Sequence, residues 1–209
     1  SQYGRGIFFN IKLVPEPDRK HFAESVFAAL RPLGISGDLP APELFVPPSA
    51  LARAEEFFKD LPRSPEKPIV AVHPGGHYPS QRWIPGRFAE VISTLAGKHG
   101  VRILLIGAGL ERDLVNGIAS SASGAAWEKN IIKVMDAEAD VLCALISRSR
   151  LFIGNNSGPL HIAAALKVPS VSTMGPTDPV RWTPSGKGHI VLRAVLPCSP
   201  CGRGDCPGH

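Results

Sequence analysis

Leu151-Phe152-Ile153 runs directly into Gly154-Asn155-Asn156-Ser157-Gly158-Pro159-Leu160-His161, and then into Ile162-Ala163-Ala164-Ala165-Leu166. A short apolar run, a polar turn and a helix-forming segment read as a buried strand feeding a helix. Asn156 or Ser157 suits the N-cap, and Pro159 suits an early helical position. The open N–H groups of that first turn, together with the helix dipole, favour a phosphate above the carboxyl end of the strand. Gly158 lets the backbone come close, and His161 adds a donor or a charge. The chain is therefore expected to bind a phosphorylated ligand.

Working outward, the same unit repeats. Apolar strands are predicted at Ile69–Val72, Val101–Ile106, Ile131–Val134, Leu151–Ile153, Val168–Thr173 and His189–Val195. Helices are predicted over Pro85–His99, Leu110–Ser121 and Glu138–Ser147, each with apolar residues on one face. Strands alternating with amphipathic helices give an α/β fold, a parallel sheet with helices on both faces. Ligands of such sheets sit at the carboxyl ends of the strands, where strand order reverses. Before Pro68 the pattern is looser. It holds a strand over Arg5–Val14, a helix over His21–Leu30, a capped helix over Ser49–Leu61 and proline-rich punctuation.

The loops after successive strands all carry unusual residues. His73-Pro74-Gly75-Gly76 leads to Ser80-Gln81-Arg82-Trp83, where the glycines permit close approach and Arg82 can clamp a phosphate. Gly107-Ala108-Gly109-Leu110-Glu111 ends in a carboxylate able to accept two hydrogen bonds from a ribose diol. Met174-Gly175-Pro176-Thr177-Asp178-Pro179 follows a later strand. Taken singly, Glu111 is a helix-start carboxylate, His161 a structural histidine, His73 a packing residue and Asp178 a turn residue. The convergence of these loops on one sheet edge is what points to a site. Arg112 occupies the third glycine position of a dinucleotide fingerprint, and no Walker pattern occurs. Ser157 lacks a nucleophile elbow and an evident acid partner, and Cys143 lies on an apolar helical face.

Composition narrows the class. The 209 residues are 44% hydrophobic and 20% charged, as in an ordinary globular protein. Net charge is +5, but the cations are scattered and not interleaved with aromatics, which argues against nucleic acid. A basic surface of this kind suits a solvated exterior, an anionic membrane face or a phosphorylated glycolipid. No apolar run of spanning length and no signal-like start occurs, so a cytoplasmic location is expected. Cys198, Cys201 and Cys206, with His209, have the spacing of a compact zinc knuckle; a disulfide or free thiols fit the same residues.

From Ile69 to Pro207 the chain resembles the C-terminal half of glycosyltransferase family 9, the lipopolysaccharide heptosyltransferases. The resemblance rests on ordered motifs. These are His73-Pro74-Gly75, Gln81-Arg82-Trp83 with Arg87-Phe88, Gly107 to Glu111, Asn155 to Leu166, Gly175 to Pro179, and the cysteine tail ending at Pro207. It implies the C-terminal, Rossmann-like domain of a GT-B fold plus a remnant of the N-terminal domain. The implied organisation is 1–62 as the tail of the acceptor-side domain, 63–68 as linker, 69–196 as the nucleotide-sugar domain and 197–209 as a cysteine-rich tail. It further implies inverting transfer of a sugar, heptose from ADP-heptose or another nucleotide sugar, to a lipid A–Kdo core acceptor. No cofactor or metal is required. The enzyme would be cytoplasmic, with peripheral contact at the cytoplasmic face of the inner membrane.

By that resemblance Glu111 matches the residue that grips the ribose. Ser157, Gly158 and His161 match the diphosphate and sugar loop. The implied donor-binding set is Gly75, Gly76, Gln81, Arg82, Gly107, Glu111, Asn156, Ser157, Gly158 and His161. The chain departs from the family at Asn156, where Asp is common, and at Gln81, where Lys is common; Arg82 can supply the second charge. The glycine-rich loop and general base of the first domain have no match before Ile69, so the chain is expected to carry mainly the donor-binding half. Two other readings stand beside this one: a nucleotide-sugar epimerase or hydrolase on the same architecture, and a non-catalytic nucleotide- or zinc-binding module.

Overall fold

The computed structural model describes residues 20–59, 67–122, 124 and 127–206. The strand expected over Arg5–Val14 and most of the 63–68 linker lie outside the described residues. The elements in chain order are α1 (Phe22–Ala28), α2 (Pro48–Glu55), β1 (Ile69–His73), α3 (Pro85–Lys98), β2 (Arg102–Gly107), α4 (Arg112–Ala122) and β3 (Ile131–Met135). There follow α5 (Ala139–Ser147), β4 (Leu151–Asn155), α6 (Gly158–Ala165), β5 (Ser170–Thr173), α7 (Pro179–Trp182) and β6 (His189–Leu192). The chain divides into two compact units, one of 1–40 with 179–183, the other of 41–178 with 184–209.

The larger unit is built on a six-stranded sheet of order β3-β2-β1-β4-β5-β6. All its neighbours pair in parallel. This is the Rossmann order, and it reverses between β1 and β4. The strands alternate with period two, as their pleat requires. Val70, Val72, Ile103 and Leu105 face one core with Phe88 and Ile92 of α3 and Val115 and Ile118 of α4. Ala71, Leu104, Ile106 and Phe152 face the other, with Leu145 of α5 and Leu160 of α6. Helices therefore cover both faces.

Helix α2 belongs to this unit. Ala50 and Ala54 are sealed in the second core, and small side chains there let α2 lie close to α5. At the rim Arg53 pairs with Glu138 at 2.7 Å and with Asp140. These exposed pairs add little next to the apolar contact. The helix begins at Pro48 behind Pro47, with no side-chain cap, rather than at a capping Ser49. Its regular part ends at Glu55 and a 3₁₀ turn carries it to Phe58, short of the predicted Leu61. Likewise Gly109–Glu111 is a 3₁₀ turn leading into α4.

In the smaller unit His21 caps α1. Its Nδ1 accepts the Ala23 amide (3.3 Å), so Nε2 is the nitrogen that donates to the Thr183 carbonyl (3.0 Å). Phe22 stacks on Trp182 with ring centroids 4.7 Å apart. The short helix α7 is absent from the sequence reading, since Pro-Val-Arg-Trp is too brief to show a helical period.

Leu104 sits on the internal strand β2 with no exposed surface. Leu104→Ala is expected to lower unfolding free energy by about 2–5 kcal/mol in urea titration. The exposed Leu110→Ala should change it by less than about 0.5 kcal/mol.

Candidate donor site

The site lies where strand order reverses. His73 ends β1 and pairs in register with Gly154 of β4, so the loops after both strands leave the same edge. Asn155, the last residue of β4, is completely buried and holds these loops together. Its Nδ2 donates to the Pro74 carbonyl (2.8 Å) and the Gly75 carbonyl (2.9 Å). Its Oδ1 accepts the Trp83 amide (2.9 Å) and the Thr173 hydroxyl (2.7 Å). One carboxamide thus ties both ends of the β1–α3 connection to the end of β5, with all its donors and acceptors used. The sequence reading took its neighbour Asn156 and missed this residue. The available signal was a polar residue at the closing position of an otherwise apolar strand.

Glu111 reaches this edge from the turn after β2. Its Oε1 accepts the Gly76 amide (3.2 Å) and its Oε2 the Ala108 amide (3.0 Å). The carboxylate lies against the Cα of Gly75, where a Cβ would fall 1.7 Å from Oε1, so a side chain at 75 would push the Glu111 carboxylate from this position. His73 is buried but is not merely a packing residue. Its Nε2 is 3.4 Å from Glu111 Oε2 and its Nδ1 is 3.0 Å from Ser157 Oγ. His73, foremost, with the Ala108 and Gly76 amides, lowers the Glu111 pKa to about 2 against the opposing cost of burial. Of roughly four acceptor positions on a carboxylate, three are engaged. Glu111 is thus left to take one further hydroxyl rather than two.

Ser157 is the N-cap residue of α6 by backbone conformation, but its hydroxyl does not cap. It lies 3.0 Å from His73 Nδ1 and 3.3 Å from the Asn155 carbonyl, and its single proton points to one of the two. A partner the sequence did not reveal therefore exists. Pro159 carries no N–H, and the Leu160 amide is taken by the Ser157 carbonyl (3.1 Å). The turn therefore presents the Ser157 and Gly158 amides outward, fewer donors than an open first turn would supply. Gly158 faces open space, and His161, three residues further along the helix, is half-buried.

The remaining predicted residues fall nearby or play other parts. Arg82 Nε donates to the Gly76 carbonyl (2.9 Å), which shapes the glycine turn and leaves the terminal guanidinium nitrogens for an anion. Gln81 Nε2 donates to Thr177 Oγ1 (3.4 Å), tying the loops after β1 and β5. Gly107 is a packing position: a Cβ there would lie 2.6 Å from Val115, so glycine lets α4 approach β2. Asn156 is held by its amide to the Thr173 carbonyl (3.2 Å). The cysteine tail braces the same loops, since Ser80 Oγ donates to the carbonyl of Arg203 (2.7 Å) and the Gly202 amide to that of Pro176 (2.9 Å). Beneath it is a cavity of about 100 Å³ lined in part by Met174, Cys198, Cys201 and Cys206. The cysteines are free, and no metal-binding cluster forms among the described residues; His209 lies outside them.

These features define an α/β domain with a Rossmann-like parallel sheet and a polar crevice at its reversal point. The family model for glycosyltransferase family 9 (heptosyltransferase) matches residues 2–208, and the chain belongs to that family. It is 29% identical over 173 residues to lipopolysaccharide heptosyltransferase 2 of Salmonella typhimurium, covering 80% of this chain and 49% of that protein. Among solved structures it is similar to a family 9 glycosyl transferase from Veillonella parvula, with TM-score 0.79 and 21% identity over 91% of this chain and 54% of that one. It is also similar to E. coli ADP-heptose lps heptosyltransferase II, with TM-score 0.68 and 24% identity over 80% and 50% of the two chains. The chain spans about half the length of the curated relatives it matches.

Two outcomes follow from the geometry. Asn155→Asp turns two donors into acceptors facing carbonyls and is expected to destabilise the fold by about 3 kcal/mol or more in urea titration. For Glu111, a folded pKa below the unfolded value gives stability that is complete above about pH 4.5 and is lost as pH falls toward 2. Glu111→Gln should therefore be less stable than the parent by roughly 2–3 kcal/mol at neutral pH, with the gap closing across that acid window.

Proposed function

We propose that this chain is the donor-binding half of a heptosyltransferase that moves a sugar from a nucleotide diphosphate sugar, ADP-heptose by family resemblance, to a lipopolysaccharide core acceptor. Residues 69–196 carry the donor site in this reading, and 1–62 belong to the acceptor side. The observation that carries it is the convergence of Glu111, the Ser157–Gly158 amides and Arg82 at the reversal of strand order.

In this reading the ribose lies against Glu111, which accepts one of its hydroxyls. The diphosphate lies over the start of α6, facing the Ser157 and Gly158 amides, the helix dipole, Arg82 and His161. As the bond between the anomeric carbon and the diphosphate breaks, negative charge grows on the departing phosphate oxygen. Donors aimed there in advance stabilise that charge without reorganising. A base contributed from the acceptor side takes the proton of the attacking hydroxyl, and attack from the face opposite the diphosphate inverts the anomeric centre. The acceptor is a membrane lipid, so the enzyme works at the cytoplasmic surface of the inner membrane. No helix among the described residues is long and apolar enough to cross a membrane.

Calorimetric titration with ADP, UDP and GDP tests the reading. ADP is expected to bind in preference to the other two, and Glu111→Ala to weaken it about tenfold or more. Equal binding of all three would reject the adenosine assignment, and an affinity indifferent to Glu111 would reject its contact with the ribose.

A further inference from the structure

Glu111 and Ser157 reach the donor site from different sides. Glu111 hangs from the turn after β2, Ser157 from the turn after β4, and β1 lies between those strands. Adjacent strands are about 4.8 Å apart, so two strand spacings separate the turns. Nothing in the backbone ladder beyond the strand ends keeps them in a common geometry. The residue placed to do so is the last of β1. His73 extends Nδ1 to Ser157 Oγ at 3.0 Å and Nε2 to Glu111 Oε2 at 3.4 Å.

We propose that His73 is a positioning residue of the donor site, a rigid spacer that links the ribose-facing carboxylate to the phosphate-facing turn. This role rests on the donor-site reading above. Burial supports it: at 6% exposure, the ring excludes the water that would otherwise satisfy both partners. Hydrogen counting supports it too. Ionised Glu111 only accepts, so Nε2 must carry a hydrogen. The Ser157 hydroxyl has a single proton, which points either to the Asn155 carbonyl or to Nδ1. Both arrangements keep the Nε2 link to Glu111; only the direction of the Ser157 bond changes. The imidazole is planar and offers polar atoms at opposite edges, so it grips both turns at once. Asn, at the reach of Nδ1, keeps only the Ser157 partner. Gln, at the reach of Nε2, keeps only the Glu111 partner.

The test titrates the full chain with ADP and with 2′,3′-dideoxy-ADP, which lacks the ribose hydroxyls. The parent is expected to prefer ADP by about tenfold. His73→Asn frees Glu111 and should reduce that preference to about twofold or less, whereas His73→Gln should retain it. Thermal melts confirm that the variants compared are folded. A preference that survives in folded His73→Asn would overturn the role. A parent chain that ignores ADP would overturn the donor-site reading, and this role with it. Nitrogen NMR of the unaltered chain supplies a second measurement that does not depend on a variant folding. A hydrogen on Nε2 of His73 is expected, and a ring protonated on Nδ1 alone would overturn the proposal.

Discussion

The donor site depends on the Asn155 carboxamide. It lies where the neighbouring strands β1 and β4 send their loops to opposite faces, which opens a crevice at the strand ends. Such a crevice exposes backbone groups that no ladder can satisfy. Asn155 closes it by donating to the Pro74 and Gly75 carbonyls and accepting from Trp83 and Thr173. An apolar residue there would leave several buried polar groups orphaned at once. With the glycine turn held, the Gly76 amide points at Glu111, and Arg82 folds back on the Gly76 carbonyl. The geometry of the other site residues follows from that seal.

Electrostatically the site places a carboxylate near the first turn of α6, linked through His73. Left alone, Glu111 would repel a diphosphate. It is not alone, because two amides and the His73 ring crowd its oxygens and hold it ionised and compensated. The repulsion is thereby moderated at its source. The cationic groups that remain, the α6 dipole and the outer nitrogens of Arg82, are left to face an anion.

The elements were largely legible in the sequence, because periodicity is local. Residues such as Val70, Val72, Ile103 and Leu105 alternate with Ala71, Leu104 and Ile106, and that alternation alone calls for strands covered on both sides. The boundaries moved where propensity gave way to context: α2 starts on Pro48, α4 opens with a 3₁₀ turn, and α7 is too short to carry a period. Within the site, Gly75, Gly76, Glu111 and Ser157 were legible as loop residues of unusual type. Gly107 also stood out, but the structure places it under Val115 as a packing glycine.

The chain by itself determined the strand–helix alternation, the polar loops at the strand ends and the family motifs, all of which are written in residues near one another along the backbone. Tertiary structure alone decided the order of the strands, and with it which loops meet. His73, Glu111 and Ser157 stand 38 and 46 residues apart in sequence, and no spacing rule links them. They meet because the sheet places β1 between β2 and β4. For the same reason His73 read as packing and Asn155 as an unremarked neighbour. A side chain's hydrogen-bonding role is set by the groups brought to it from distant turns, and those groups arrive only when the sheet is assembled.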